Sequence, residues 1–348
     1  MNDYEVTVEQ EISQIRVMSP HVVILGAGAS VATFPNGDKN GKRIPLMKDL
    51  VEVVGLGKIL DQIGVDYKGK NFEDLYSQLF IDEKYSTILE EINNAIDDYF
   101  FSLELPPTPT IYDHLLLSLR ETDLIATFNW DPFLIQAHLR NQKFTKLPMM
   151  SFLHGNVLAG YCTEHKTRGG TGNLCPKCKK RFTQSPLLYP ITKKDYSANQ
   201  FIDGEWRRLK KCLEMAFMVT VFGYSAPKTD TEALSLMKTS WGDVEKRDME
   251  QIEIVSRQHE GETDADFSER LNKAFEMFIH THHYEVKNDF YDSWIAKHPR
   301  RTGEAYVNQY YEAKFISDNP IPKDKDFPAL WKWLEHLKEV EDKIKTTT

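Results

Sequence analysis

Four stretches carry side chains that could do chemistry together, and each follows an apolar run. Gly26-Ala27-Gly28-Ala29-Ser30 follows residues 22–25, Asn129 and Asp131 follow 124–128, His154-Gly155 follows 149–153, and Gly223-Tyr224-Ser225 follows 217–222. A glycine turn lets the backbone approach a pyrophosphate, whose charge the N–H groups opening the next helix can bind. The third glycine of the common dinucleotide fingerprint is absent, with Ser30 near its place, and the same residues also suit a plain strand-to-helix turn with no ligand. Asn129 offers a donor and an acceptor; Asp131 offers charge, or a cap for a helix starting at Pro132. His154 suits proton exchange near neutral pH, or a loop histidine bonded to backbone. Gly223, Tyr224 and Ser225 could present backbone and hydroxyl groups to a ribose or phosphate, while Asp230, after Thr229, suits a helix cap.

A fifth constellation is Cys162-x2-His165-x9-Cys175-x2-Cys178, set in residues 160–185, which are rich in Gly, Lys, Cys and Thr. Such a stretch cannot build a core unaided, and three thiolates with one imidazole complete a tetrahedral zinc site with no open position, hence a structural one. Reduced, unliganded cysteines are the alternative. Cys212 is expected as a buried helical residue, and His280, His282 and His283 are too crowded and isolated to suggest a second site.

Positioning these groups requires parallel strands whose carboxyl ends meet. Apolar strands at 22–25, 124–128, 149–153, 217–222 and 252–255 alternate with helical periodicity at 71–80, 85–100, 111–119, 204–215 and 267–279. The fold class is therefore α/β, a Rossmann-like, mostly parallel sheet with helices on both faces and a small inserted zinc-binding module. Residues 105–110, with three prolines, join two helices as a stiff connector. Leu330, Leu334, Leu337, Val340 and Ile344 recur at helical spacing, a stripe that either packs on the domain or meets a partner.

The 348 residues carry 43 Lys and Arg against 52 Asp and Glu, a net charge of −9, opposite to the footprint of a general nucleic-acid binder, so direct nucleic-acid binding is not expected. Apolar runs fall short of the roughly 20 residues of a membrane span, and the opening MNDYEVTVEQ does not read as a secretory signal. A cytoplasmic protein without membrane contact is expected.

In order and character, Gly-Ala-Gly-x-Ser, Asn-x-Asp, His-Gly, the cysteine module and Gly-x-Ser resemble the sirtuin family over about residues 20–257. The resemblance implies an NAD-binding catalytic domain over 15–290, an inserted zinc module at 158–186 and a C-terminal helical extension at 291–348. It places Gly26, Ala27, Gly28 and Ser30 around the pyrophosphate of NAD, Asn129 and Asp131 on the nicotinamide ribose, His154 as the base, and Gly223 and Ser225 against the adenosine ribose and phosphate. Protein-deacylating sirtuins carry Gly-Ile-Pro-Asp-Phe-Arg after the glycine motif. Here the loop from Ala32 to Met47 is longer and lacks Asp-Phe-Arg. In this, in Asn71-Phe72-Glu73 and in Asn129-Trp130-Asp131, the chain resembles sirtuin-like domains of bacterial antiphage defence, which cleave NAD with water. An NAD glycohydrolase is implied, a triggered effector held silent by oligomerisation or a partner protein. An NAD-dependent protein deacylase and a non-catalytic NAD or ADP-ribose sensor are the alternatives.

Overall fold

The computed structural model describes residues 19–191, 195–227, 230–242, 251–259, 261–279, 284–308 and 319–345. Thr229, the histidines at 280, 282 and 283, and the first residues of the expected 15–290 domain lie outside them. Six strands form one parallel sheet: β1 (His21–Leu25), β2 (Leu124–Thr127), β3 (Met149–Phe152), β7 (Met218–Phe222), β8 (Gln251–Val255) and β9 (Tyr284–Lys287). The short β4 (Ala159–Tyr161), β5 (Arg168–Gly170) and β6 (Thr183–Gln184) form a separate antiparallel sheet in the inserted module.

The order β3-β2-β1-β7-β8-β9 reverses direction between β1 and β7. In doubly wound sheets the crevice outside the strand ends at such a switch point is where ligands bind. Register makes those ends coincide: Leu25 sits beside Thr127 and Phe222, and Thr127 beside Phe152. The ladder runs one residue further, with Phe128 N–H donating to Leu25 O (2.9 Å), Leu153 N–H to Thr127 O (2.9 Å) and Gly26 N–H to Phe222 O (3.0 Å). The polar residues that follow therefore emerge along one edge.

The α/β expectation holds, and the five expected strands are present within a residue at either end. β9 was not anticipated. The helix expected from 204 begins at Gln200, because the Asn199 side chain accepts from the N–H groups of Phe201 and Ile202 and supplies the cap. Asn71 likewise caps the helix Phe72–Ile81 by accepting from Glu73 N–H, and Phe72 is buried, so Asn71-Phe72-Glu73 has a structural role. Residues 105–110 are non-helical, and Cys212 is buried in the helix Gln200–Met215.

The C-terminal stripe packs inward: Leu330, Leu334 and Leu337 are buried, and Trp331 stacks on Phe144 at 3.6 Å. The side chains of Val340 and Ile344 lie outside the described residues. No described helix is long and apolar enough to cross a membrane.

Candidate functional site

Two buried clusters stand side by side at the strand ends. The first gathers Ser30 from the helix Ala27–Thr33, Tyr112 from the helix Ile111–Leu117, and Asn129 and Asp131 after β2. Asn129 Nδ2 donates to Gly26 O (3.0 Å), Ser30 Oγ (3.0 Å) and Tyr112 OH (3.3 Å). Because the Gly26 carbonyl can only accept, it fixes which end of the amide is nitrogen. Asn129 Oδ1 then has no partner among the described residues and remains an acceptor for a hydroxyl or a water.

Ser30 Oγ donates its one hydrogen to Asp131 Oδ2 (2.6 Å) and therefore accepts from Tyr112 OH (2.7 Å). Burial pushes the Asp131 carboxyl up to about 6, against the Ser30 bond and the weak donation from Phe133 N–H (3.3 Å) that lower it. Burial, reinforced by the Asp131 charge, also raises the Tyr112 phenol, which stays protonated. The helix expected to start at Pro132 runs Phe133–Asn141 with Pro132 at the cap position; Asp131 Oδ1 accepts weakly from the N–H of its first residue, Phe133, while Oδ2 is turned to Ser30.

Asn156, to which sequence reasoning gave no role, braces this cluster. Its Nδ2 donates to Asp131 O (2.6 Å) and Asn129 O (3.4 Å), while Ser185 Oγ donates to Asn156 O (2.8 Å) and accepts from Asn156 N–H (3.0 Å).

The second cluster surrounds His154. Its ring meets Phe128 edge-on at 4.8 Å and stacks on Tyr196 at 5.9 Å, and Nε2 lies 3.3 Å from Tyr196 OH. Phe128 in turn stacks on Tyr224 at 4.3 Å and packs on Trp206 at 6.1 Å. Gly155 turns the chain after His154 at φ +79°, and a Cβ there would fall 1.8 Å from Pro186 O. Only glycine fits. Asp230, expected as a helix cap, makes no side-chain capping bond to the helix Thr231–Trp241. It accepts instead from Tyr224 OH (3.1 Å) and places Oδ1 3.8 Å from His154 Nε2.

The expected phosphate-binding residues divide. Gly26 and Gly28 give their N–H groups to Phe222 O (3.0 Å) and Gly223 O (2.9 Å), and Gly223, at φ +66°, has no room for a Cβ, which would lie 2.1 Å from Ala29 N. Close crossing of the β1 and β7 turns thus accounts for three of the glycines. Ser30 is wholly buried in the first cluster, and Tyr224 gives its hydroxyl to Asp230. Ala27 is half-buried at a helix start and Ser225 is exposed, so these two keep groups to offer a phosphate or ribose.

In the module, Cys162, His165, Cys175 and Cys178 bring their ligand atoms within 4.8 Å of one another. A tetrahedral zinc with Zn–S near 2.3 Å separates its sulfurs by about 3.8 Å. Cys162 Sγ lies 3.7 Å from Cys178 Sγ and 3.5 Å from His165 Nδ1, and Cys175 Sγ lies 3.7 Å from His165 Nδ1. The two halves repeat one turn: Lys166 and Lys179, at φ 55° and 61°, return their N–H groups to Cys162 O and Cys175 O. The donor set and spacing fit zinc, which would organise a module with only Cys162, Cys175 and Phe182 in its small core.

Fold and site define a doubly wound α/β protein with a buried polar cluster at its switch point and a Cys3His module. No protein-family profile matches the chain, and no curated protein sequence does. Among solved structures, the chain is similar to a Sir2 homologue in complex with NAD, at 14% identity and TM-score 0.37 over 87% of this chain and 93% of that one. It is also similar to a structure bearing on the mechanism and regulation of Sir2 enzymes, at 13% identity and TM-score 0.38 over 97% and 100%. A third, bearing on sirtuin substrate affinity, gives 16% identity and TM-score 0.36 over 84% and 93%. Likeness this distant transfers no activity to the chain.

Proposed function

We propose that the chain is an NAD glycohydrolase, converting NAD and water to nicotinamide and ADP-ribose. The observation that carries this reading is Asn129: three acceptors pin its amide, leaving Oδ1 open beside the buried Asp131, at the same strand edge as His154. Cleavage breaks the bond from C1′ of the ribose to the nicotinamide nitrogen, and the electron pair leaves with neutral nicotinamide. C1′ acquires oxocarbenium character, which a nearby carboxylate and fixed dipoles stabilise. In this reading Asp131 supplies the charge and Asn129 Oδ1 orients a ribose hydroxyl or the attacking water. The water oxygen bonds to C1′, and its proton passes to His154. Ala27 and Ser225 are the groups left to hold phosphate or ribose.

The sequence resemblance supports the biological role: an effector that depletes NAD in antiphage defence, kept silent by self-association or a partner protein. Purified protein should release nicotinamide from NAD, and Asn129→Ala and His154→Ala should abolish that release while remaining folded. NAD loss in phage-challenged cells making the wild type, but not His154→Ala, tests the role.

A deacylase would use the same groups with an acyl-lysine in place of water, and the wall of Phe128, Tyr196, Tyr224 and Trp206 round His154 would suit its stem. Nicotinamide release that requires an acyl-lysine peptide would establish this second reading instead. A sensor binds NAD and is thermally stabilised by it, without nicotinamide release.

A further inference from the structure

We infer that Asp230 is a positioning residue for His154, holding the imidazole and favouring its charged form as it takes a proton. The inference rests on the proposed function only for the identity of that proton's source. Asp230 directly precedes the helix Thr231–Trp241, where an aspartate would ordinarily cap; its carboxylate makes no capping bond and is instead 3% exposed in the second cluster. Its two oxygens are divided: Oδ2 accepts from Tyr224 OH at 3.1 Å, and Oδ1 faces His154 Nε2 at 3.8 Å. That separation is charge contact rather than a hydrogen bond, and in a site walled by Phe128, Trp206, Tyr196 and Tyr224 such contact is weakly screened.

The Tyr224 bond fixes the direction of the carboxylate. The stack of Tyr224 on Phe128, and the edge contact of Phe128 with His154, then lock both partners to one aromatic core. Phe128 directly precedes Asn129, so the arrangement ties His154 to the first cluster as well. Among the described residues, the other ionisable groups near the pair are the Tyr196 and Tyr224 phenols, both raised chiefly by burial, with Glu232 acting on Tyr196 and Glu73 on Tyr224. Among the described residues, Asp230 is the carboxylate in contact with the imidazole. A carboxylate this close stabilises imidazolium, so an imidazole that accepts a proton at the site gains by having Asp230 beside it.

The test reads His154 itself. In the full-length protein, its imidazole resonance is titrated by NMR, identified by its absence in His154→Gln, and compared between wild type, Asp230→Asn and Tyr224→Phe. Asp230→Asn should lower the His154 midpoint by roughly one unit and leave the other histidines in place. Tyr224→Phe, which keeps the charge but frees its direction, should move it less. In NAD cleavage, Asp230→Asn should shift the acidic limb of the rate profile by the same amount and lower kcat more than it raises KM. An unchanged His154 midpoint in folded Asp230→Asn overturns the inference, even where NAD is cleaved. A shifted midpoint with no cleavage by the wild type would uphold the pairing and remove the hydrolase reading.

Discussion

Two buried polar clusters share the main sheet, and they differ in what their polar atoms are left to do. Ser30, Tyr112, Asn129 and Asp131 stand beyond the carboxyl ends of β1 and β2. His21, Thr220, Glu253 and Thr302 lie within the sheet and the segment after β9 that covers it. In the cluster of His21 and Glu253 the wiring closes when Glu253 is ionised. Thr220 Oγ1 donates to Glu253 Oε2 (2.9 Å), so it must accept from His21 Nε2 (2.8 Å); His21 Nδ1 then accepts from Thr302 Oγ1 (3.1 Å), and Glu253 Oε1 accepts from Trp294 N–H (2.9 Å). Burial, the largest influence, lowers His21 to about 4, which keeps it neutral in agreement with that wiring. In the first cluster Asn129 Oδ1 is left over. Both clusters are buried; the unfilled acceptor at a strand end marks the first as the candidate site.

The largest effect should separate them by function. Asn129→Ala removes the open acceptor and should cut NAD turnover about a hundred- to a thousandfold, the usual cost of losing one preorganised group. Glu253→Gln should leave turnover within about twofold. Equal losses in the two variants, measured as nicotinamide release by folded protein, would erase the distinction drawn between the clusters.

The next effect reverses the roles and reads stability. Burial pushes Glu253 up from 4.5 to about 7, so the fold favours its neutral form. The stability this linkage gives is complete below about pH 4.5 and is lost as pH rises through 7, a swing of about 3 kcal/mol. His21 has the opposite limb: its neutral form is favoured, and that contribution is complete above pH 6.5 and lost as pH falls through about 4. Glu253→Gln is neutral at every pH, so denaturant unfolding should show it gaining on the wild type between pH 5 and 8. A difference that stays constant with pH would mean Glu253 does not titrate in that range.

Asp131 should show the same sign more weakly, joined to a functional loss. Its rise from 3.8 to about 6 means that the ionised carboxylate costs the fold up to about 3 kcal/mol at pH 7.5. Asp131→Asn should therefore match or exceed wild-type stability there while losing NAD cleavage. A residue that weakens the fold and serves the chemistry behaves this way; a structural cap would lose stability on substitution.

The sequence made one side of this comparison much more legible than the other. Strands that end in Gly26, Asn129, His154 and Gly223 are apolar along their length and polar at the tip, and parallel pairing does the rest, because register alone brings the tips together. The groups that arrive from elsewhere left no such sign. Tyr112 sits in a helix whose apolar pattern reads as cover, and Tyr196 lies ahead of the helix Gln200–Met215 in an irregular stretch. Asp230 has the composition of a cap but is drawn away by Tyr224. Glu253 alternates with Ile252 and Ile254 as a half-exposed strand would, and is buried because the segment at Ser293–Thr302 folds over it. β9 was hidden for a related reason: Tyr284–Lys287 is half-buried at the sheet edge, and its alternating charges carry no apolar run. Contacts distant in sequence decide each case, and periodicity cannot register them.

The smallest effect should come from the metal, and it reaches only one of the clusters. Ser185, at the foot of the Cys3His module, holds the backbone of Asn156, whose amide braces Asn129 and Asp131. Arg168 of β5 pairs with the buried Glu205 at 2.7 Å and donates to Met150 O, and Glu205 accepts from Phe152 N–H, so the module also grips β3 just before His154. Nothing comparable links the module to His21 or Glu253 among the described residues. Chelation, or Cys175→Ser, should release zinc and loosen residues 158–186, displacing the strand-end groups without removing any of them. Misplacement of this kind should cost turnover about tenfold, well short of the Asn129→Ala loss. Hydrogen exchange should rise in the module and at Asn156 while the amides of β7 and β8 stay protected. Uniform loss of protection would show that the metal holds the whole fold, and full turnover without it would show that Ser185 and Arg168 do not transmit the module's order to the site.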